Sequence, residues 1–420
     1  MEVVTGFAVV GALVLGFGLI SRRLQSSPLT PPMVFVVFGA VVGAHGLGLL
    51  DIGPESHVAY VLAELTLVMV LFTDATRIDL RKLRREHDIP VRLLAVGLPL
   101  TMALGFVLAW KLLPGLGLWG AAVLGVILAP TDAALGQAVV SDPKVPVRIR
   151  QALNVESGLN DGMSLTALII LLCATGFGEH VEVAWYALLA KQLLLGPLAG
   201  MIAGWIGGKL VNWGAASGWM TESFQRLASI GIALLAYAFA DLIGGNGFIA
   251  AFSAGLVLGN TSRGTCAGLY EFAETEVQLL TLLSFLAFGS AMVLPVVEEL
   301  SWQIVLYAVL SLTLVRMVPV ALSLIGLGLR RDTVLFLGWF GPRGIASILL
   351  ALAVLMTVPG AVSQGVALVV GATVLLSIFA HGLTARPAAR AYAARTTSTP
   401  DEAMPELQSV SEMPVRIPHR

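Results

Sequence analysis

The sequence predicts an all-α polytopic membrane protein of about 13 transmembrane helices, built as two inverted six-helix repeats with interrupted helices 5 and 12. Three observations predict it. The 420 residues are 57% apolar and only 12% charged, whereas soluble domains carry about a quarter charged residues. Apolar tracts of roughly 17–25 residues recur along the chain, the length a helix rising about 1.5 Å per residue needs to cross about 30 Å of hydrocarbon. Two of these tracts hold a proline beside an ionisable residue at mid-span, in Ala129-Pro130-Thr131-Asp132 and Gly341-Pro342-Arg343-Gly344. Barrel strands would be shorter and would alternate in polarity.

Taken in order, the apolar tracts place spans at 3–20, 33–50, 58–74, 91–112, 117–141, 152–175, 184–208, 224–243, 246–260, 277–294, 302–327, 333–357 and 363–382. The first lacks the basic leader of a signal peptide, since Arg22 and Arg23 follow its apolar run, so it is expected to be retained with the N-terminus outside. On that orientation all but four of the 25 basic residues fall in the odd-to-even loops and the tail. The exceptions are Lys111, in an opposite loop, and Lys191, Arg316 and Arg343, inside spans. The positive-inside rule therefore puts the C-terminus in the cytoplasm of a cell whose inner membrane the chain crosses. In the seventh span Gly196, Gly200, Gly204 and Gly208 recur every fourth residue, a stripe that admits close helix contact. Gly244-Gly245-Asn246-Gly247 reads as a tight outer turn. Residues 396–420 are rich in Ser, Thr, Pro and Glu and are expected to be a disordered cytoplasmic tail.

The interruptions in spans five and twelve are seven apart, and an odd offset puts the partners in opposite orientations. Residues 1–183 would then form the first repeat (helices 1–6), 184–223 a linker of helix 7 and a cytoplasmic loop, and 224–395 the second repeat (helices 8–13). Proline donates no backbone hydrogen bond, so Pro130 and Pro342 would leave the carbonyls of Val126 and Gly338 free to face a cation.

Charge inside lipid needs a reason, at about 2.5–3.5 kcal/mol per residue even on the gentler insertion scale. The sixth span has the densest set, Asn154-Val155-Glu156-Ser157-Gly158-Leu159-Asn160-Asp161-Gly162. Glu156 and Asn160, and Ser157 and Asp161, are four apart, which puts all four side chains on one face about 140° wide. Arg316 in the eleventh span is the expected countercharge for a carboxylate there. Glu64, Asp74 and Asp241 lie in or at the ends of spans, where ion-path and interfacial roles both remain open. Lys191 is expected to snorkel to the outer face. The six histidines are placed near span ends, in loops or in the tail, His381 among them. The two cysteines, Cys173 and Cys266, have no metal-ligand spacing and read as packing residues. A net charge of -1 without a basic stripe gives no nucleic-acid signature.

The run from Asn154 to Gly162 resembles the Glu-Ser and Asn-Asp signature of NhaP-type sodium/proton antiporters, the electroneutral branch of the cation:proton antiporter superfamily. Thr131-Asp132 resembles that family's unwound fifth helix, Arg316 its buried arginine, and Gly341 to Gly344 its Gly-x-Arg-Gly element. Ala133 departs from the pattern, because the family has proline after the aspartate and this chain carries Pro130 before the threonine. The resemblance implies that Asp132, Asp161, Ser157 and the Thr131 carbonyl hold the cation, with Asn160 and Arg316 orienting Glu156. It also implies a homodimer. Hard oxygen ligands suit an alkali ion, and a desolvated carboxylate needs either that ion or a proton to neutralise it, so the two compete for Asp161. The expected activity is exchange of sodium, with lithium, for protons by alternating access, without enzymatic chemistry or cofactor. Oxygen ligands alone leave potassium open as the transported ion. A cation channel shares these groups but builds its pore from several subunits or filter loops.

Overall fold

The computed structural model describes residues 2–24, 27–50, 52–53, 56–80, 87–132, 135–136, 139, 142, 144–175, 185–261, 267–358, 360–397 and 405–407. These residues form helices α1 (Glu2–Leu24), α2 (Pro31–Val42), α3 (His57–Arg77), α4 (Asp88–Leu112), α5 (Gly117–Ile127), α6 (Val147–Thr175) and α7 (Trp185–Ala216). They continue with α8 (Glu222–Leu242), α9 (Gly247–Thr261), α10 (Ala267–Phe288), α11 (Trp302–Ser323), α12 (Arg331–Trp339), α13 (Ile345–Thr357) and α14 (Ala361–Thr397). Nine helices among the described residues are long and apolar enough to cross a membrane. α4 contains a π turn at Leu93–Gly97, and a second, Gly289–Val293, carries α10 on to Leu294–Glu298.

Small residues set how closely these helices approach. A Cβ added to Gly200 or Gly204 would strike the backbone of Ala250 or Ala254, so the glycine stripe of α7 lies directly on α9. Gly39 and Gly289 do the same for α2 and α10, each meeting the other helix's backbone. Without much hydrophobic gain between helices in lipid, such backbone approach supplies the packing energy. Outward, Phe7, Leu15 and Leu19 of α1, Leu194 and Trp205 of α7 and Leu235 of α8 are exposed, the apolar surface that hydrocarbon requires.

Three expectations are corrected. The second span ends as a helix at Val42, not at residue 50, because glycines at 43, 46 and 48 let the chain fold back until Leu50 N donates to Val42 O, with Gly48 at φ 65°. The last helix continues past residue 382 to Thr397, since its alanine-rich extension buries Ala385, Ala389 and Tyr392 against Phe336 and Phe340. The tail, expected to be disordered from residue 396, forms a 3-10 turn at Pro405–Leu407. Its Glu406 is 1% exposed and accepts from Arg330 N at 2.7 Å and Thr333 Oγ1 at 2.9 Å.

Segments predicted at or near the cytoplasmic face make three long-range contacts. Arg386 donates to Ser27 O, Arg92 to Ile325 O and Arg148 to Pro405 O, at 2.8, 2.5 and 2.6 Å. The connection at Ser27 and the start of α6 thus meet the C-terminal segment, and the start of α4 meets the turn after α11.

Candidate functional site

α5 stops at Ile127, and α12 and α13 are separated by the non-helical residues 340–344. Each interrupted span satisfies groups that the other's break exposes. Ser347 Oγ on α13 donates to Ile127 O at 2.8 Å, Asp132 N donates to Pro342 O at 2.8 Å, and Ile345 N donates to Asp132 Oδ2 at 2.9 Å. Asp132 therefore caps α13, where the helix dipole and the first free amides favour a negative group. Close approach makes glycine necessary here, because a Cβ on Gly344 would collide with the Asp132 carboxylate. The carbonyls are less free than proline alone implies, since Val126 O still accepts from Ala129 N at 3.3 Å. Ala133, the departure from the NhaP pattern, lies outside the described residues.

α6 runs unbroken past this crossing and brings its polar face to it. Thr131 Oγ1 shares a hydrogen bond of 3.0 Å with Ser157 Oγ and accepts one of 2.7 Å from Asn160 Nδ2. Asn160 thus holds the unwound Thr131, not Glu156 as the resemblance implies. Asp161 follows on the same face, one turn after Ser157, and is 8% exposed. Asp74 of α3, 4% exposed, comes alongside, for a Cβ on Gly158 would stand 3.7 Å from its own.

Glu156 and Arg316 form a bidentate pair, with Nη1 to Oε1 at 2.5 Å and Nη2 to Oε2 at 2.8 Å, at 2% and 1% exposure. Paired forks of this kind are the strong form of charge-assisted hydrogen bond. Arg316 also packs on the second break, where a Cβ on Gly341 would meet its Nε. Arg343 is fully buried, and its Nη1 donates to Gly341 O at 2.7 Å, folding the guanidinium back over the break.

His381 is the clearest departure from the expected placement. It is 1% exposed in mid-helix on α14, and Nε2 lies 2.9 Å from Trp339 O. Ser377, one turn earlier and 0% exposed, accepts from Arg343 N at 2.7 Å. Sequence reasoning missed Ser347, Ser377 and His381. The signal was there for the last two, polar residues four apart on one face of the thirteenth span. Elsewhere, Glu64 accepts from Tyr237 Oη at 2.5 Å, so it is paired on α3 against α8. Asp241 and Lys191 are exposed, and Cys173 is half-buried. Cys266 lies outside the described residues. No cluster of three His, Cys, Asp or Glu side chains suited to a bound metal occurs among the described residues.

Comparison with known proteins agrees with this architecture. Residues 9–391 match the family described as sodium/hydrogen exchanger, transmembrane. The K(+)/H(+) antiporter NhaP of Alkalimonas amylolytica is 28% identical over 341 residues, covering 80% of this chain and 57% of that protein. The Na(+)/H(+) antiporter 2 of Zygosaccharomyces rouxii is 27% identical over 345 residues, covering 76% of this chain and 42% of that protein. The chain thus spans about half the length of these two relatives. The sodium proton antiporter MjNhaP1 from Methanocaldococcus jannaschii superposes with a TM-score of 0.76 at 22% identity, over 94% of this chain and 100% of that one.

Proposed function

Because the chain belongs to the transmembrane sodium/hydrogen exchanger family, we propose that it exchanges a monovalent cation, sodium and with it lithium, for protons across the inner membrane by alternating access. The carrying observation is the meeting of the unwound Thr131 and Asp132 with Ser157 and Asn160 of α6, beside the buried Asp161. These groups offer hydroxyl and carboxylate oxygens at a break in the helix, where the backbone can also turn toward an ion. In the proposed cycle Asp132, Asp161, Ser157 and the Thr131 carbonyl hold the dehydrated cation. When it leaves, Asp161 takes a proton in its place, because an uncompensated carboxylate is costly in this surrounding. Glu156 stays paired with Arg316 and keeps α6 and α11 in register. Asp161 is then the one exchanging acid, and exchange is electroneutral, one cation for one proton.

The same reading takes residues 1–183 and 224–395 as inverted repeats joined by residues 184–223. It places the N-terminus outside and the basic loops in the cytoplasm. Two copies are expected to associate as a homodimer. Potassium/proton exchange is the second reading, favoured by the name of the Alkalimonas relative.

The test is proton flux in proteoliposomes on addition of sodium, lithium or potassium. Sodium and lithium should each drive flux, and Asp161→Asn should abolish it while the protein stays folded. Flux driven by potassium alone selects the second reading. Near-normal sodium-driven flux in Asp161→Asn removes Asp161 from the exchange.

A further inference from the structure

In an unbroken helix Arg343 N would donate to Trp339 O, four residues earlier. The break between α12 and α13 separates these two groups; Arg343 is buried and Trp339 half-buried, so each group needs another partner. α14 supplies a substitute for each. Arg343 N donates to Ser377 Oγ at 2.7 Å, and His381 Nε2 lies 2.9 Å from Trp339 O. Nδ1 faces the Ser377 carbonyl at 3.0 Å as well as the Ser377 hydroxyl; the relay uses the neutral tautomer with the hydrogen on Nε2, which donates to Trp339 O and leaves Nδ1 an acceptor. Ser377 Oγ lies 3.1 Å from that Nδ1 and completes the chain by donating to it. The path runs from Arg343 N–H through the Ser377 hydroxyl and the His381 ring to Trp339 O. One backbone hydrogen bond is thereby stretched across two side chains.

Ser377 and His381 are one turn apart on the same face of α14, which gives the relay a fixed length. Two further contacts brace it: Trp339 Nε1 donates to Thr384 Oγ1 at 2.9 Å, and the Trp339 and His381 rings lie 5.1 Å apart. The segment held between the relay's ends is the one whose Pro342 O and following Ile345 N bind the Asp132 backbone and carboxylate. From this geometry we propose that Ser377 and His381 are positioning residues, a splint that sets the width of the α12–α13 break and so the place of Asp132. The consequence for cation affinity rests on the exchange function proposed above, whereas the splint itself does not.

Two measurements separate the two. Amide hydrogen exchange, resolved to single residues in the full chain, reads the splint directly. Ser377→Ala should speed exchange at Arg343 and Ile345 by about tenfold or more, the loss that one buried hydrogen bond supports. Ser377→Thr, which keeps the hydroxyl, should restore protection. Sodium-driven proton flux, normalised to folded protein, reads the consequence. Ser377→Ala and His381→Phe should each raise the KM for sodium about tenfold with a smaller change in kcat, and the double variant should be no worse than either single, because the relay acts as a unit. Unchanged exchange at Arg343 in Ser377→Ala overturns the splint, as does a double variant whose losses multiply. If exchange accelerates while KM stays put, the splint stands without positioning Asp132, and the proposal fails on that point. If the unmodified protein moves no cation, the exchange function fails and amide protection still decides the splint.

Discussion

Glu156 and Arg316 illustrate why charge in the middle of lipid is diagnostic at the level of single residues. Neither is more than 2% exposed, and two parallel N–H to O bonds join them. Removing one partner leaves the other charge buried alone, at a cost of about 3–5 kcal/mol. Arg316→Ala should therefore lower the melting temperature more than Asp161→Asn, and Glu156→Gln with Arg316→Gln should recover part of that loss. Strictly additive losses in the two single variants and the double would show that the pair does not hold in the membrane. Asp132 differs from both, because its Oδ2 already accepts a backbone amide from Ile345. Asp132→Asn should weaken cation binding through lost charge, seen as loss of the sodium-induced rise in melting temperature at fixed sodium concentration. Persistence of that rise would place the cation elsewhere. The α6 pattern made Glu156, Ser157, Asn160 and Asp161 legible from the sequence, since residues four apart on a helix must share a face. Asn160's partner was not legible, because both Thr131 and Glu156 were within the reach of a side chain on that face, and only the path of the unwound chain chose Thr131.

At the level of elements, the two breaks work because glycine lets side chains from one span enter the backbone space of another. A Cβ at Gly344 would overlap the Asp132 carboxylate, and one at Gly341 would overlap the Arg316 guanidinium. Gly344→Ala should thus displace Asp132 and reduce sodium-driven flux by roughly tenfold or more, the scale on which a reacting group misplaced by about 1 Å loses function. Gly11→Ala on α1, where a Cβ meets nothing within 4 Å, is the matched control and should leave flux unchanged. Equal flux in the two variants would show that the crossing tolerates the extra carbon. The prolines marked both breaks in the sequence. They could not show that Asp132 caps α13 or that Ser347 satisfies Ile127 O, because those bonds join residues 213 and 220 apart in sequence.

For the whole molecule, the proposed one-for-one stoichiometry is the reading with the widest reach. If Asp161 is the single exchanging acid, as proposed, the sodium gradient at which pH-driven flux reverses should be the same at 0 and -100 mV. A second proton per cation would shift that point by about 2.3 kcal/mol, roughly fifty-fold, and would make Asp132 a proton carrier. Glu406 ties the turn at Pro405–Leu407 to the start of α12, and Glu406→Ala should leave Arg330 N short of its acceptor and Thr333 Oγ1 with Tyr392 Oη alone, at about 1–3 kcal/mol, read as a lower melting temperature. An unchanged melting temperature would mean the turn at Pro405–Leu407 contributes nothing to stability. By itself the sequence determined that the chain is helical and membrane-spanning, where its interruptions fall, and which face of α6 is polar. Those properties follow from local composition and from the 3.6-residue period, which act over a single span. Tertiary structure alone decided that α14 runs on to Thr397 and that Ser377 and His381 bridge Arg343 to Trp339. In each case a buried backbone group or an apolar side chain found its partner on a distant part of the chain, and local pattern carries no record of which distant part that is.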